Sequence, residues 1–167
     1  MPSLAQLSSQ REGKRKEKVS NMSGEFLGIS ENSVHKQRVI IPSGFKKKFS
    51  EAAKNTVVVT KGALNIIAIY PIDVWREMVM EAKGGSEKER LHRSQLIFFA
   101  QAEQVLEGPG RVKIQDMLLE EAGITDTVII KGEGHYISLW NPEKYKEERK
   151  AKLELHQKTF TSEDYQT

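Results

Sequence analysis

The second half of the chain repeats the pattern of the first half. Three pairs of related residues are each separated by 70 positions: Gly62 and Gly132, Tyr70 and Trp140, and Trp75 and Tyr145. In both halves a strand, a short helix, a β-hairpin, an aromatic residue and a further helix are predicted in the same order. Chance readily matches one dipeptide with another but rarely matches five features in order. The sequence therefore predicts an internal duplication.

The first half begins after a polar, basic and aperiodic start. A short strand at "GEFLGIS" is followed by the strand "RVIIP", which Pro42 ends. The segment "SGFKKKFSEAA" predicts a short helix that Ser43 caps, with Phe45 and Phe49 on its buried side. The β-branched runs "NTVVVTKG" and "NIIAIYP" then predict a hairpin.

Two helices are predicted between the halves. The first runs from Ile72 to Lys83 and ends at two glycines; the second runs from Ser86 to about Gln104 and starts with a capping-box spacing between Ser86 and Glu89. The apolar stripe predicted for the first helix consists of Val74, Trp75, Met78 and Val79. The face predicted for the second consists of Leu91, Gln95, Phe98, Phe99 and Ala102.

The second half predicts the same elements as the first. "RVKI" is a strand, "QDMLLEEAG" a short helix ending at Gly123, and "DTVIIKG" with "YISLW" a second hairpin. The segment "NPEKYKEERKAKLELHQ" is a helix with Asn141 as its cap and Pro142 at its first position. The residues after it are predicted to fray.

A unit of roughly 45 residues is too small to bury a core alone, so the two copies must share one. The fold expected is α+β: two copies related by a pseudo-twofold axis that close a small β-barrel with flanking helices. The predicted division of the chain is residues 1–22 as a disordered basic tail, 23–83 as the first repeat with its following helix, 84–105 as a connecting helix, 106–152 as the second repeat with its following helix, and 153–167 as a C-terminal tail.

The net charge of +3 is not spread evenly. The first 20 residues hold five Lys or Arg and two acids, so the rest of the chain is balanced. A local basic patch nevertheless follows, because residues 31–50 contain one acid, Glu31, against five cations: Lys36, Arg38, Lys46, Lys47 and Lys48. Such a patch attracts phosphate, although a solvated face is the simpler interpretation of a run of lysines.

Membrane, disulfide and enzyme classes are not indicated. No apolar run approaches the ~18 residues that span a bilayer, and the start of the chain lacks the apolar core of a secretory signal. The absence of cysteine excludes disulfides and thiolate metal sites and favours the cytoplasm. The four histidines lie in different segments without metal-ligand spacing, so neither an enzyme, a metal nor a cofactor is expected.

Two arginine-containing turns are the candidate site. In "LEGPGRVKI", Glu107 stands four positions before Arg111, with Gly108 and Gly110 between them as turn-organising residues. In "VHKQRVIIP", Arg38 leads into a similar strand, but Val34 occupies the acidic position. Arginine can fork onto guanine or clamp a phosphate. Glu107 is expected to hold the Arg111 guanidinium or its turn; the alternative is a salt bridge that only stabilises the turn.

The lysines near these turns have a different predicted role. Lys113 alternates with Val112 and Ile114, so it shares the outward face with Arg111. An ammonium is a hydrated point charge suited to phosphate rather than to base edges. The lysines assigned to phosphate contacts are Lys36, Lys46, Lys47 and Lys48.

The motifs "RVIIPSGFKKKF", "VVVTKG", "AIYPIDVW", "FFAQAEQVLEGPGRV" and "EEAGITDTVIIKG" resemble the MraZ family over about residues 24–150. The resemblance implies two tandem SpoVT-AbrB-type repeats in a swapped-hairpin fold and a cytoplasmic, nucleoid-associated regulator. It also implies sequence-specific binding of double-stranded DNA at short direct repeats upstream of its own gene, in the division and cell-wall gene cluster, by a ring-like homo-oligomer. The chain departs from the family pattern at Val34, and at Gln115, where a proline is expected.

Two other functions remain open on the sequence alone. The first is an oligomeric scaffold whose basic turns bind an acidic protein partner. The second is an RNA-binding module. Both would use the same cations as the DNA-binding hypothesis.

Overall fold

The computed structural model describes residues 21–160. The predicted basic tail, apart from its last two residues, and residues 161–167 of the predicted C-terminal tail lie outside the described residues. Within the described part the chain is α+β, with antiparallel strands and several helices, as predicted.

Eight strands form one sheet and one separate ribbon. They are β1 (Ile29–Ser33), β2 (Arg38–Ile40), β3 (Thr56–Lys61), β4 (Ile67–Pro71), β5 (Gln104–Val105), β6 (Arg111–Lys113), β7 (Thr127–Gly132) and β8 (Ile137–Trp140). The six-stranded sheet has the order β1-β7-β8-β4-β3-β5, and every neighbouring pair in it is antiparallel. Both predicted hairpins, β3–β4 and β7–β8, are confirmed.

The predicted closed barrel is wrong for residues 21–160. Strands β1 and β5 are the edges of the sheet, and no strand joins them. Strands β2 and β6 do not join this sheet and pair with each other instead. This β2–β6 ribbon lies across one face of the sheet, where Val39 and Val112 are fully buried in the main hydrophobic cluster. The ribbon therefore covers the core through side-chain packing and not through strand pairing with the six-stranded sheet.

The N-terminal segment packs against the second hairpin. The strand predicted at "GEFLGIS" begins at Ile29, and an isolated bridge joins Phe26 to Gly134. A Cβ at Gly132 would overlap the main chain of Phe26, so only glycine allows the two segments to approach this closely. The ring of Phe26 packs edge-on against Phe45 and Phe49. Phe45 is buried in the helix Ser43–Lys46, whereas Phe49 is partly buried and follows that helix, so the two residues do not share one helical face as predicted.

The helices are α1 (Ser43–Lys46), a 3-10 turn (Glu51–Ala53), a second 3-10 turn (Ala63–Asn65), α2 (Ile72–Trp75) continued by a π-helical turn (Arg76–Met80), α3 (Glu87–Phe99), α4 (Asp116–Ala122) and α5 (Pro142–Thr159). Three predicted helix ends are confirmed. Ser86 accepts a hydrogen bond from the Glu89 amide, Gly123 ends α4 in the left-handed region, and Asn141 caps α5.

Other helix ends differ from the prediction. The residue before α1 is Pro42 rather than Ser43, and no side chain caps this helix. Ser50 instead caps the 3-10 turn Glu51–Ala53. The helical segment that starts at Ile72 ends at Met80 rather than Lys83. Helix α5 continues to Thr159, so the predicted start of the C-terminal tail at residue 153 falls inside it.

Helix α3 turns the opposite face to the core from the one predicted. Leu96 is buried, whereas Leu91 and Phe98 are exposed, Phe98 to 80%. The helix ends at Phe99 because the following chain joins β3, where the Gln101 amide donates to the Val59 carbonyl at 2.8 Å. Leu96 lies in a second hydrophobic cluster with Tyr70, Trp75 and Val79. Burial in this cluster raises the pKa of the Tyr70 hydroxyl, and the neighbouring Tyr136 raises it further.

No helix in the span from residue 21 to residue 160 combines the length and the apolar character needed to cross a membrane.

Candidate nucleic-acid interface

The β2–β6 ribbon brings the two predicted arginine turns onto one surface. Its register pairs Arg38 with Lys113, Val39 with Val112, and Ile40 with Arg111. Side chains alternate across a strand, so the buried valines point to the core and the other four residues point outward. The outward face of the ribbon therefore consists of Arg38, Ile40, Arg111 and Lys113.

The first turn is a tight hairpin built without glycine. His35 and Arg38 exchange backbone hydrogen bonds of 3.0 and 2.9 Å. Between them Lys36 and Gln37 have φ values of 49° and 65°, the pattern of a type I′ turn. Lys36 is exposed at the tip, whereas Val34 is partly buried against the main cluster. The residue that replaces the expected acid thus anchors the turn in the core.

The second turn uses the two predicted glycines. The Arg111 amide donates to the Glu107 carbonyl at 2.8 Å, and the Gly110 amide donates to the same carbonyl at 3.0 Å. Gly108 and Gly110 have φ values of 50° and 114°. A Cβ on Gly110 would stand 2.7 Å from Cδ of Lys46, whose ammonium donates to the Pro109 carbonyl at 3.1 Å. Gly110 therefore admits a lysine from the first half of the chain onto the second turn.

An ion pair joins the two turns. The Arg38 Nε atom lies 3.5 Å from Oε2 of Glu107, and Arg38 Nη1 donates to the Lys36 carbonyl at 3.3 Å. Of the two expected roles of Glu107, the main chain of Glu107 thus holds the Arg111 turn, whereas the Glu107 carboxylate contacts Arg38 of the other turn. Arg111 lies over Gly108, with Nη1 3.4 Å from the position of a Cβ there.

This ion pair orients the Arg38 side chain more than it stabilises the fold. The side chains of Arg38 and Glu107 are 36% and 60% exposed. Exposed pairs contribute roughly 0–1 kcal/mol to folding because water screens them and two side chains lose freedom. Restricting the rotamers of Arg38 before it meets a partner reduces the entropy lost on binding.

Amide side chains cover both outer edges of the ribbon. Gln104 forms a two-point contact with the main chain of Lys113, accepting from its amide and donating to its carbonyl, both at 2.8 Å. Gln101 accepts from the Gln115 amide at 2.7 Å. On the other edge Asn32 donates to the Ile40 carbonyl at 3.1 Å. These bonds hold a ribbon of three residue pairs in one geometry and occupy main-chain groups that an edge strand leaves open.

These amide residues were not predicted to belong to the site. Gln101 and Gln104 lie in the predicted connecting helix, where a polar residue is read as a solvated position. They reach the main chain of Lys113 and Gln115 from the non-helical segment that follows the end of α3 at Phe99. No local pattern carries that information.

Two of the predicted phosphate-binding lysines lie away from the ribbon. Lys48 Nζ is 3.7 Å from Oε2 of Glu25, and Lys47 and Lys48 line a cleft that also contains Glu25 and Glu51. Both lysines are exposed. Lys46 is the member of the run that reaches the arginine turns.

Comparison with known proteins identifies the family. No protein-family model matches the chain. The transcriptional regulator MraZ of Roseiflexus castenholzii is 30% identical over 125 residues, which cover 72% of this chain and 83% of that protein. The chain belongs to the MraZ family of transcriptional regulators. The resemblance noted from its motifs is thereby confirmed.

Other MraZ proteins agree with this assignment. The protein of Clostridium tetani is 29% identical over 135 residues, covering 79% of this chain and 92% of its own length. That of Syntrophomonas wolfei is 35% identical over 123 residues, covering 72% and 83%. These MraZ relatives are named as regulators and not as enzymes. In this MraZ-family chain, residues 21–160 also contain no group of three or more His, Asp or Glu side chains that could hold a metal ion.

Proposed function

We propose that this chain binds double-stranded DNA through the β2–β6 ribbon and regulates transcription at short direct repeats upstream of its own gene and the division and cell-wall gene cluster. The observation that carries the proposal is the outward face of the ribbon, where Arg38, Arg111 and Lys113 lie on two of the three residue pairs. A two-stranded ribbon has the width that the major groove of B-DNA admits. Such a regulator acts at the nucleoid.

The cations of the ribbon divide into two chemical roles. Arg38 and Arg111 can each present a planar fork to O6 and N7 of guanine, which is worth roughly 1–3 kcal/mol of discrimination. Lys36, Lys46 and Lys113 surround them as point charges suited to phosphate. Lys47 and Lys48 would extend the phosphate contacts beyond the ribbon, because they lie on a different cleft.

Two tandem repeats related by a pseudo-twofold axis are part of the proposal. Exchanging each strand of the first half for its counterpart, β1 for β5, β3 for β7 and β4 for β8, converts the sheet order into its own reverse. The ribbon pairs the remaining counterparts, β2 and β6. This order supports a duplication in which the halves exchange edge strands: β1 pairs with β7, and β5 with β3.

A ring-like homo-oligomer would let several ribbons contact successive direct repeats. Exposed apolar residues on α3 and α5 support it, since Leu91 and Phe98 on the first and Leu153 and Leu155 on the second face solvent in a single chain. The mass in solution tests it. We expect Phe98→Ser to lower the mass and Leu27→Ser, a control at another exposed position, to leave it unchanged. A monomeric wild-type mass would contradict the oligomer.

A gel-shift series over salt concentration tests DNA binding. The probes are the DNA upstream of the chain's own gene, scrambled DNA of the same composition, and RNA of the same sequence. We expect the upstream DNA to bind most tightly, with affinity falling as salt rises. Equal affinity for upstream and scrambled DNA would exclude sequence-specific regulation, and preference for RNA would favour an RNA-binding module. Absence of salt-dependent binding to any probe would leave the scaffold for an acidic protein.

A further inference from the structure

One residue on the outward face of the ribbon is not a cation. Ile40 is 43% exposed, follows Arg38 by two positions on the same strand, and stands opposite Arg111. The residues before and after it, Val39 and Ile41, are fully buried. Isolated apolar residues are normal on protein surfaces. Ile40 differs because all its neighbours on the outward face of the ribbon are positively charged.

The position of the Ile40 side chain is determined from both sides. Its main chain pairs with Arg111 on β6, and its carbonyl accepts a hydrogen bond from Asn32 on the other edge at 3.1 Å. The next amide, that of Ile41, donates to the Gly110 carbonyl at 2.9 Å. A β-branched side chain on a held strand has few rotamers. Ile40 therefore presents a rigid apolar group between two arginines.

The major groove contains one exposed apolar group, the C5-methyl of thymine. A side chain that enters the groove between arginines must contact either polar base edges, which it cannot satisfy, or that methyl group. We infer that Ile40 is a specificity-determining residue that recognises thymine through its C5-methyl group. The inference rests on the proposed function, because it assumes that the ribbon enters the major groove.

Deoxyuridine substitution tests this contact one methyl group at a time. Each thymine of the upstream DNA is replaced singly by deoxyuridine, which keeps the base pair and removes only the methyl. The proteins are the full chain, Ile40→Ala, and Leu27→Ala as a matched control, since Leu27 is 78% exposed and lies outside the ribbon. Circular dichroism and the thermal midpoint establish that each variant is folded.

We expect deoxyuridine at one or two positions to weaken binding of the full chain and of Leu27→Ala by about fourfold, the effect of burying one methyl-sized group. Ile40→Ala should bind the unmodified DNA less tightly by a similar factor and should not distinguish thymine from deoxyuridine at those positions. The two changes together measure the coupling free energy between Ile40 and the thymine methyl group.

The remaining outcomes separate the inference from the proposed function. If a sequence-specific complex forms but no deoxyuridine weakens it, the thymine contact is wrong and DNA binding stands. The same holds if Ile40→Ala keeps the full deoxyuridine effect, because another residue then contacts the methyl. If no specific complex forms with unmodified DNA, the proposed function fails and the inference fails with it.

Discussion

The two arginine turns reach similar positions by different chemistry. The first has Lys36 and Gln37 in the left-handed region, whereas the second uses Gly108 and Gly110 there. Left-handed backbone costs roughly 1–2 kcal/mol for a residue with a side chain and little for glycine. The first turn therefore keeps a cation at its tip at some cost in strain, and the second gives up side chains to admit Lys46.

The missing acid of the first turn shows that the turns are not independent. Val34 stands where an acid is expected, and it is partly buried against the main core. Arg38 obtains its carboxylate from Glu107 of the other turn instead, at 3.5 Å. One acid thus serves the first turn through its side chain and the second through its main chain. Loss of an acid at one turn is tolerated because β2 and β6 are adjacent.

The largest expected effect is on DNA affinity. We predict that Arg38→Ala and Arg111→Ala each weaken specific binding by roughly 1–3 kcal/mol, because each removes a fork from the outward face. The thermal midpoint should change little, since both guanidinium groups are at least partly exposed. Gel shifts with upstream DNA and thermal melts measure the two quantities. A large fall in the midpoint of Arg111→Ala would instead support a purely structural role.

The second prediction concerns the backbone of the turns. Gly110→Ala should lower the free energy of unfolding by about 2 kcal/mol, because φ is 114° there and the new Cβ meets Lys46. Gln37→Gly in the first turn is the matched change in the opposite direction, and it should be neutral or slightly stabilising. Urea titrations measure both. Equal destabilisation by the two changes would show that the turns do not differ in this way.

The third prediction restores the expected acid. Val34→Asp should lower the free energy of unfolding by about 1 kcal/mol, because it introduces a carboxylate at a partly buried position of the core. DNA affinity should stay unchanged, since Glu107 already contacts Arg38. Parallel melts and gel shifts test this pair of outcomes. Tighter DNA binding by the variant would mean that Glu107 is a poor substitute for the lost acid.

The smallest effect is the coupling across the turns. A double-mutant cycle of Glu107→Gln with Arg38→Lys, measured on DNA affinity, should give a coupling free energy of about 0.2–1 kcal/mol, the range of an exposed ion pair. The control cycle of Glu107→Gln with Arg111→Lys should be additive, because the Glu107 carboxylate contacts Arg38. Coupling in the control cycle as large as in the first would contradict the cross-turn assignment.

Features that depend on neighbouring residues were predictable. The hairpins β3–β4 and β7–β8, the cap at Asn141 and the left-handed Gly123 all follow from short patterns. The outward position of Lys113 beside Arg111 followed from alternation along one strand. Each of these features involves residues close together in the chain, so local propensity and periodicity decide them.

Features that depend on distant residues were not predictable. The exposed face of α3 was assigned to the core because its apolar residues recur with helical periodicity, but periodicity does not say which neighbour a face meets. The same gap explains the barrel: seven of the eight strands were identified, but not which strands pair, and β5 was predicted as part of a helix. The amide contacts of Gln101 and Gln104 depend on the pairing of β2 with β6 as well.

The sequence by itself determined seven of the eight strands, three helix ends and the two arginines, because backbone propensity and hydrophobic alternation act within a few residues. Only the tertiary structure decided that Arg38 shares the acid of the other turn and that Ile40 stands opposite Arg111. Those relations join residues about 70 positions apart, and the packing of Val39 and Val112 into one core brings them together.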